Sequence, residues 1–170
     1  WFEHSQSREK VNYGIYMHAV LSRMKYADEM EGMLGQIVRE GLISREESTP
    51  LRDQLIGLLE NPTVGNWFSR VWEVSTEIPI ILPGGEGNRI DRLLTHGRKA
   101  VVVDFKTGTR KKLDEKQVLD YMDILRKMNF VDVEGYLLYL TGNIVAEVKH
   151  GARAKLVQRK KDMDQLDLNF

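Results

Sequence analysis

The chain has no cysteine in its 170 residues. Disulfides, thiol nucleophiles, cysteine-ligated zinc and iron–sulfur clusters are therefore excluded together. It also has no long apolar run. Nothing approaches the roughly 20 residues that a membrane-spanning helix requires, and no signal peptide is visible. Net charge is missing too, because 25 Lys and Arg balance 25 Asp and Glu. No global field draws the chain toward nucleic acid, so any basic surface has to be local. Internal repeats are absent. The first residue is Trp1 rather than methionine, which suggests a domain taken from a larger protein. With neither span nor leader in view, the cytoplasm is the expected compartment.

What is present is an ordinary globular composition, 42% hydrophobic and 29% charged, long enough to bury one core. Apolar residues recur at helical spacing from about Val11 to Glu40, with Gly32 and Gly35 as candidate dividers and Gly41 as a stop. Ser44-Arg45-Glu46-Glu47 reads as a capping box opening a second helix, which Asn61-Pro62 ends. A short helix to about Arg70 follows. From Val71 the period becomes strand-like. Val71 to Leu82 is extended, and a glycine-rich turn at 83–88 leads into a hairpin. Asp114 caps a helix running to about Asn129, and Val133 to Leu140 pairs with Ile144 to Val148 across Thr141-Gly142-Asn143. The order is helices, three strands, helix, two strands: an α/β domain with a mixed central sheet flanked by helices. The expected organisation is one domain over 1–150, helical over 11–70 with a sheet core over 71–149. A charged tail follows over 151–170, read as mobile or as a solvated helix.

The hairpin from Asn88 to Lys112 carries the chemistry. Asp91 opens its first strand and Asp104 closes its second, so antiparallel pairing brings the two carboxylates to one end of the sheet. Lys106 is two residues beyond Asp104 and shares its face. Two hard oxygen donors suit Mg²⁺ or Mn²⁺, ions that neutralise a scissile phosphate and acidify water. The bland alternative pairs Asp91 with neighbouring arginines and lets Asp104 merely end a strand. Lys106, an Asp-x-Lys after a run of valines, favours the metal.

Other residues join this centre with their own alternatives. His18 sits one turn after Gly14 on a helix. A mid-helix glycine costs about 1 kcal/mol against alanine, and one reason for it is room for a metal or a DNA backbone above His18. A helix–helix contact would explain His18 equally simply. Gln117 and Tyr121, four apart, share a helix face beside the apolar stripe of Val118, Met122 and Leu125. They suit positioning of Lys106, gripping of a strand, or an ordinary amphipathic edge. Glu77 suits a further ligand or an exposed strand carboxylate. Arg98, Lys99, Arg110, Lys111 and Lys112 form a basic set near the hairpin, fit for phosphates or simply solvated.

In order, Gly14-x-x-x-His18, Glu77, Arg89-x-Asp91-Arg92, Val103-Asp104-Phe105-Lys106-Thr107-Gly108 and Gln117-x-x-x-Tyr121 resemble RecB-type nucleases of the PD-(D/E)XK superfamily. The closest resemblance is to the C-terminal nuclease domain of AddA and RecB helicase–nucleases, over roughly Val11 to Val148. The resemblance implies a restriction-endonuclease-like core with an N-terminal helical portion. It implies a metal held by His18, Asp91, Asp104 and the Phe105 backbone carbonyl, with Glu77 as a further ligand. Asp91, Asp104, Lys106, Gln117 and Tyr121 would form the catalytic set, Lys106 being the catalytic lysine. Arg89, Arg110, Lys111, Lys112 and Tyr121 would contact DNA. The cofactor would be Mg²⁺, with Mn²⁺ tolerated. The implied activity is exonuclease V-like hydrolysis of DNA phosphodiester bonds, in single strands fed by a helicase domain or subunit. It belongs to double-strand break repair and recombination on the bacterial nucleoid. Several relatives carry a four-cysteine iron–sulfur staple, which this chain lacks; that favours the AddA-like branch. A catalytically weak DNA-binding or docking module is the alternative, against which the intact Asp91, Asp104 and Lys106 stand.

The last six residues form a second signal. Gln165, Leu166, Leu168 and Phe170 resemble the short C-terminal peptides that bind the replication sliding clamp, with apolar anchors on one side of an extended segment.

Overall fold

The computed structural model describes residues 13–82, 84–85 and 87–151, and the backbone of 155–157. The C-terminal peptide that resembles a clamp-binding segment lies outside the described residues. Among the described residues, no helix is long and apolar enough to cross a membrane.

Helix α1 covers 13–21, followed by α2 (Met30–Arg39), α3 (Arg45–Leu59) and α4 (Pro62–Trp67). The sheet strands are β1 (Glu73–Ile81), β2 (Gly87–His96), β3 (Lys99–Lys106), β4 (Asp132–Tyr139), β5 (Ile144–Val148) and β6 (Lys155–Val157), with α5 (Lys112–Lys127) between β3 and β4. The six strands lie in sequence order. All neighbours are antiparallel except β3 and β4, which are parallel and joined through α5. The mixed sheet with flanking helices and a helical N-terminal portion matches the expected restriction-endonuclease-like architecture. β6 is an addition. The stretch read as a charged tail contributes a strand whose Lys155 to Val157 pair with Glu147 to Val145.

Local chemistry explains most boundaries. The capping box at α3 is formed: the Glu47 N–H donates to Ser44 Oγ at 3.1 Å, and the Ser44 N–H donates to the Glu47 carboxylate at 2.7 Å. Asn61 accepts from the N–H groups of Thr63 and Val64 at the start of α4, with Pro62 at the first helical position. The first helical run divides elsewhere than expected. Gly32 and Gly35 lie inside α2, and the break falls at 22–26, followed by a 3-10 turn at Ala27–Glu29 that leads into α2. Its cause is Arg92, whose guanidinium takes the carbonyls of Met24 and Lys25. Those groups bond to an arginine instead of continuing a helix. Likewise α5 begins at Lys112, so Asp114 is its third residue rather than its cap. From there its carboxylate accepts the Lys111 N–H at 3.0 Å.

The sheet divides the core into two layers. Val101, Val103 and Phe105 of β3 pack toward α1–α4, and Ala100 and Val102 pack toward α5. A strand buried on both faces reads as an unbroken apolar run, which is what Ala100 to Val103 is. In β1 and β2 this alternation slips. Val74 and Leu94 belong to the α1–α4 layer, yet Ile78, Ile80 and Ile90, of the same parity, belong to the α5 layer. Pairing runs through Thr76↔Arg92 and resumes at Ile78↔Ile90. The slip therefore falls on Glu77 and Asp91, and Glu77 has φ of 56°. The register is the same on both sides with no residue inserted in either strand, so it is the local backbone turn at Glu77 that re-aims the side chains. A positive φ on a non-glycine strand residue persists only where its surroundings enforce it.

Candidate metal and phosphodiester site

The site forms where β2 and β3 separate. Arg92 pairs with Val103, and one more step along that register sets Asp91 beside Asp104. There the ladder gives way to a side chain: the Phe105 N–H donates to Asp91 Oδ2 at 2.7 Å. In an extended residue N–H and C=O point to the same strand edge, so the Phe105 carbonyl faces Asp91 as well.

Three donors from three elements converge at this point. His18 of α1, Glu77 of β1 and Asp91 of β2 place one ligand atom each within 4.8 Å of one another. His18 Nε2 lies 3.7 Å from Asp91 Oδ2, and the imidazole meets the Phe105 ring edge-on at 5.8 Å between centroids. The Asp91 carboxylate raises the His18 pKa, against the opposing pull of burial. Glu77 reaches Arg89 Nε with one oxygen at 2.6 Å, and its Oε1 is buried without a hydrogen bond.

Asp104 stands beside this group rather than within it. It is 2% exposed, and burial, then the charge of Asp91, push its carboxyl up to about 6 despite the opposing Lys106. Lys106 Nζ lies 2.7 Å from Asp104 Oδ2, an ion pair without hydrogen-bond angles, since that oxygen has no hydrogen bond. Buried native oxygens are rarely left so. Glu77 and Asp91 beside the His18 imidazole make an O,O,N donor set suited to a hard divalent ion that tolerates nitrogen. The residues fit a metal. Glu77, the most weakly expected ligand, is in the tight group, and Asp104 is not.

Behind the acids, α5 holds the lysine. Lys106 donates to Gln117 Oε1 at 3.0 Å, Gln117 Nε2 donates to the Tyr121 oxygen at 2.7 Å, and the Tyr121 hydroxyl donates to the Arg89 carbonyl at 2.9 Å. The chain of bonds returns to β2 two residues from Asp91. Of the functions open to the Gln-x-x-x-Tyr pair, the geometry is that of positioning. Tyr121 is fully buried, with burial first among the causes that raise its pKa to about 12. It has no surface to offer DNA.

Asp114 was read from sequence only as a cap. Its Oδ1 lies 4.0 Å from Lys106 Nζ, and its Oδ2 accepts the Tyr139 hydroxyl at 3.2 Å. The signal for it was available: Asp114, Gln117 and Tyr121 are spaced three and four apart, one face of a helix.

Two sequence readings are corrected by placement. Gly14 makes no room for a ligand. A Cβ there would stand 3.4 Å from the Thr107 side chain, so the space belongs to the loop that follows Lys106. That loop is tied across the site by the Thr141 hydroxyl donating to the Thr107 carbonyl at 2.8 Å. The basic set also splits. Lys99 begins β3 and pairs with Asp132 and Glu134, and Arg98 donates to the Asn129 carbonyl. Both lie at the far end of the strand from Lys106. Arg110 pairs with Glu115 at 2.5 Å. An open cleft of about 550 Å³ is lined by His18, Phe105, Lys106, Lys111 and Asp114 together.

No curated protein matches this sequence. A protein-family model, that of the PD-(D/E)XK nuclease superfamily, matches residues 3–169. Nearly the whole chain is covered, and the chain belongs to the PD-(D/E)XK nuclease superfamily.

Proposed function

We propose that the chain is a divalent-metal-dependent deoxyribonuclease acting on single-stranded DNA, the nuclease part of a helicase–nuclease used in double-strand break repair and recombination. One observation carries the nuclease reading. Lys106, held by Asp104 and Gln117, opens into the same cleft as His18, whose imidazole joins Glu77 and Asp91 in a ready donor group. The helicase partnership rests on the ordered resemblance to AddA and RecB domains.

His18, Asp91, Asp104, Glu77 and the Phe105 carbonyl are the groups that would hold the ion, with Mg²⁺ the expected metal. Bound there, it supplies Lewis acidity toward the scissile phosphate and lowers the pKa of water at the site. Lys106 holds a positive charge where negative charge grows on phosphorus oxygens, and orients the attacking water through its ammonium protons. Gln117 and Tyr121 fix the ammonium. Arg89, exposed and paired with Glu77, would meet the DNA backbone.

The deciding experiment is a cleavage assay on labelled single-stranded DNA with Mg²⁺ or Mn²⁺, paired with calorimetric metal titration. Cleavage that stops on chelation is expected, together with metal binding lost in Asp91→Asn. A chain that neither binds metal nor cuts would overturn the proposal.

Asp114 acts in this scheme as a positioning residue, a second carboxylate steadying Lys106 at 4.0 Å. Asp114→Asn is expected to lower kcat by about tenfold, the loss typical of an outer partner at a metal centre. KM and Mn²⁺ affinity should stay close to wild type. A parallel fall in Mn²⁺ affinity would instead make Asp114 part of the metal shell.

A further inference from the structure

Beyond the cleft that holds Lys106 lies a second, larger concavity of about 700 Å³, between the start of α5 and the end of β5. Arg110, Lys111, Lys112, Lys116 and Lys149 line it, against Glu115 as the acid in the lining. The chain as a whole has no net charge, so this basic surface is a local one. Arg110 is engaged by Glu115, and Lys149 lies 3.0 Å from Glu147. Lys112 and Lys116 have no carboxylate partner among the described residues, although they stand one turn apart on α5, where like charges repel. The positive end of a 16-residue helix adds to the same field.

We propose that this groove is the track for the DNA strand beyond the scissile phosphate, with Lys112, Lys116 and Lys149 meeting successive backbone phosphates. The inference rests on the nuclease reading and extends it. Lys111 lines both this groove and the cleft of Lys106, so the two are adjoining and a polymer can pass from one to the other. A discrete anion would call for buried donors converging on a point. Here the ammonium groups are spread over a helix turn and a strand end, the pattern of a polyanion held by point charges. Lys112 and Lys116 are about 6 Å apart along the helix axis, comparable to neighbouring phosphates of an extended strand.

The test uses the full chain with the double substitution Lys116→Glu/Lys149→Glu, and Lys116→Ala/Lys149→Ala as the milder pair. Binding to labelled oligo(dT) is measured by anisotropy without divalent metal, across a range of salt. Hydrolysis of oligo(dT) and of bis(p-nitrophenyl) phosphate is measured with Mn²⁺. Charge reversal is expected to raise Kd for oligo(dT) by about tenfold or more. It should also flatten the slope of log Kd against log salt by about one to two, as for two lost phosphate contacts. The ratio of the oligo(dT) rate to the small-substrate rate should fall similarly, with alanine giving intermediate values. A Kd and salt slope unchanged in both double variants overturn the groove, whatever the activity. Equal weakening toward duplex DNA overturns its assignment to a single strand. A wild-type chain that hydrolyses neither substrate with Mn²⁺ fails the nuclease reading instead, and the salt slopes still decide the groove.

Discussion

Replacing Asp104 with asparagine should leave a protein that is inactive and, without metal, more stable than the wild type. The two halves have one cause. In the folded chain burial raises the Asp104 carboxyl from 3.8 to about 6. A carboxyl shifted upward favours folding fully only below its unfolded value, and that contribution is lost as pH rises through the folded one. The wild-type loss therefore builds between about pH 4 and 6 and is constant above. At about 1.4 kcal/mol per pKa unit it amounts to roughly 3 kcal/mol. Asparagine, equal in shape and uncharged, is free of it. At 2–4 °C per kcal/mol for a domain of this size, metal-free Asp104→Asn should melt about 6–12 °C higher at pH 8 and almost level with wild type at pH 4. Mn²⁺ should reverse the order at pH 8, since it stabilises the chain in which the carboxylate can bind it. Cleavage should fall by about 10³-fold or more, the scale of a lost electrostatic group at a reacting phosphate. Lys106→Ala should lose as much activity while keeping Mn²⁺ stabilisation, because it contributes charge and orientation but no metal ligand. Melting curves at pH 4 and pH 8, with and without Mn²⁺, test both. If Mn²⁺ stabilised Asp104→Asn as fully as wild type, Asp104 would stand outside the metal's reach.

How much of this was legible beforehand follows from the range of each interaction. Asp104 and Lys106 share a face by strand alternation alone, and their contact at 2.7 Å was readable from two residues of spacing. Gln117 and Tyr121 were readable from one turn of helix, and their bond forms as that spacing requires. The capping box of α3 depends on four residues and closes as expected. What escaped depends on residues distant in sequence. The break after α1 is made by Arg92, 68 residues beyond Met24, and no local signal marks it. The bend at Glu77 comes from the strands having to serve two core layers, so its positive φ has no sequence signature such as glycine would give. Arg98 and Lys99 were grouped with the active-site cations because they are close in number. The seven steps of β3 between Lys99 and Lys106 cover about 23 Å, and that distance separates them. Gly14 was read as leaving room above His18, but a Cβ there would meet Thr107 at ordinary contact distance, a neighbour 93 residues away that no local pattern announces.

Arg92 carries the second large expectation: Arg92→Ala should cost about 3–5 kcal/mol, enough to unfold a chain of ordinary stability or bring it to the edge. The side chain is completely buried, and burial lowers its pKa to about 9, so it enters the interior still charged at neutral pH. No carboxylate meets it there among the bonds described. Its guanidinium instead donates to the carbonyls of Met24 at 2.8 Å, Lys25, and Trp67 at 2.9 and 3.3 Å. One face lies 3.8 Å over the Phe68 ring. The planar fork thus ties the end of α1 and the end of α4 to β2, and it follows Asp91 directly in sequence. Alanine leaves three carbonyls without those donors and a void the size of the largest fully buried side chain in the chain. Lysine keeps the charge but cannot span carbonyls on two separate segments. Arg92→Lys should therefore recover only part of the loss. Urea titration should show a lowered midpoint with an unchanged slope for both. His18 reaches Asp91 only because α1 is fixed at its far end, so the lysine variant, where it folds, should also bind Mn²⁺ more weakly. If Arg92→Lys matched the wild type in both midpoint and Mn²⁺ affinity, a single buried charge would be sufficient and the three-carbonyl tie would not be what sets α1 against the sheet.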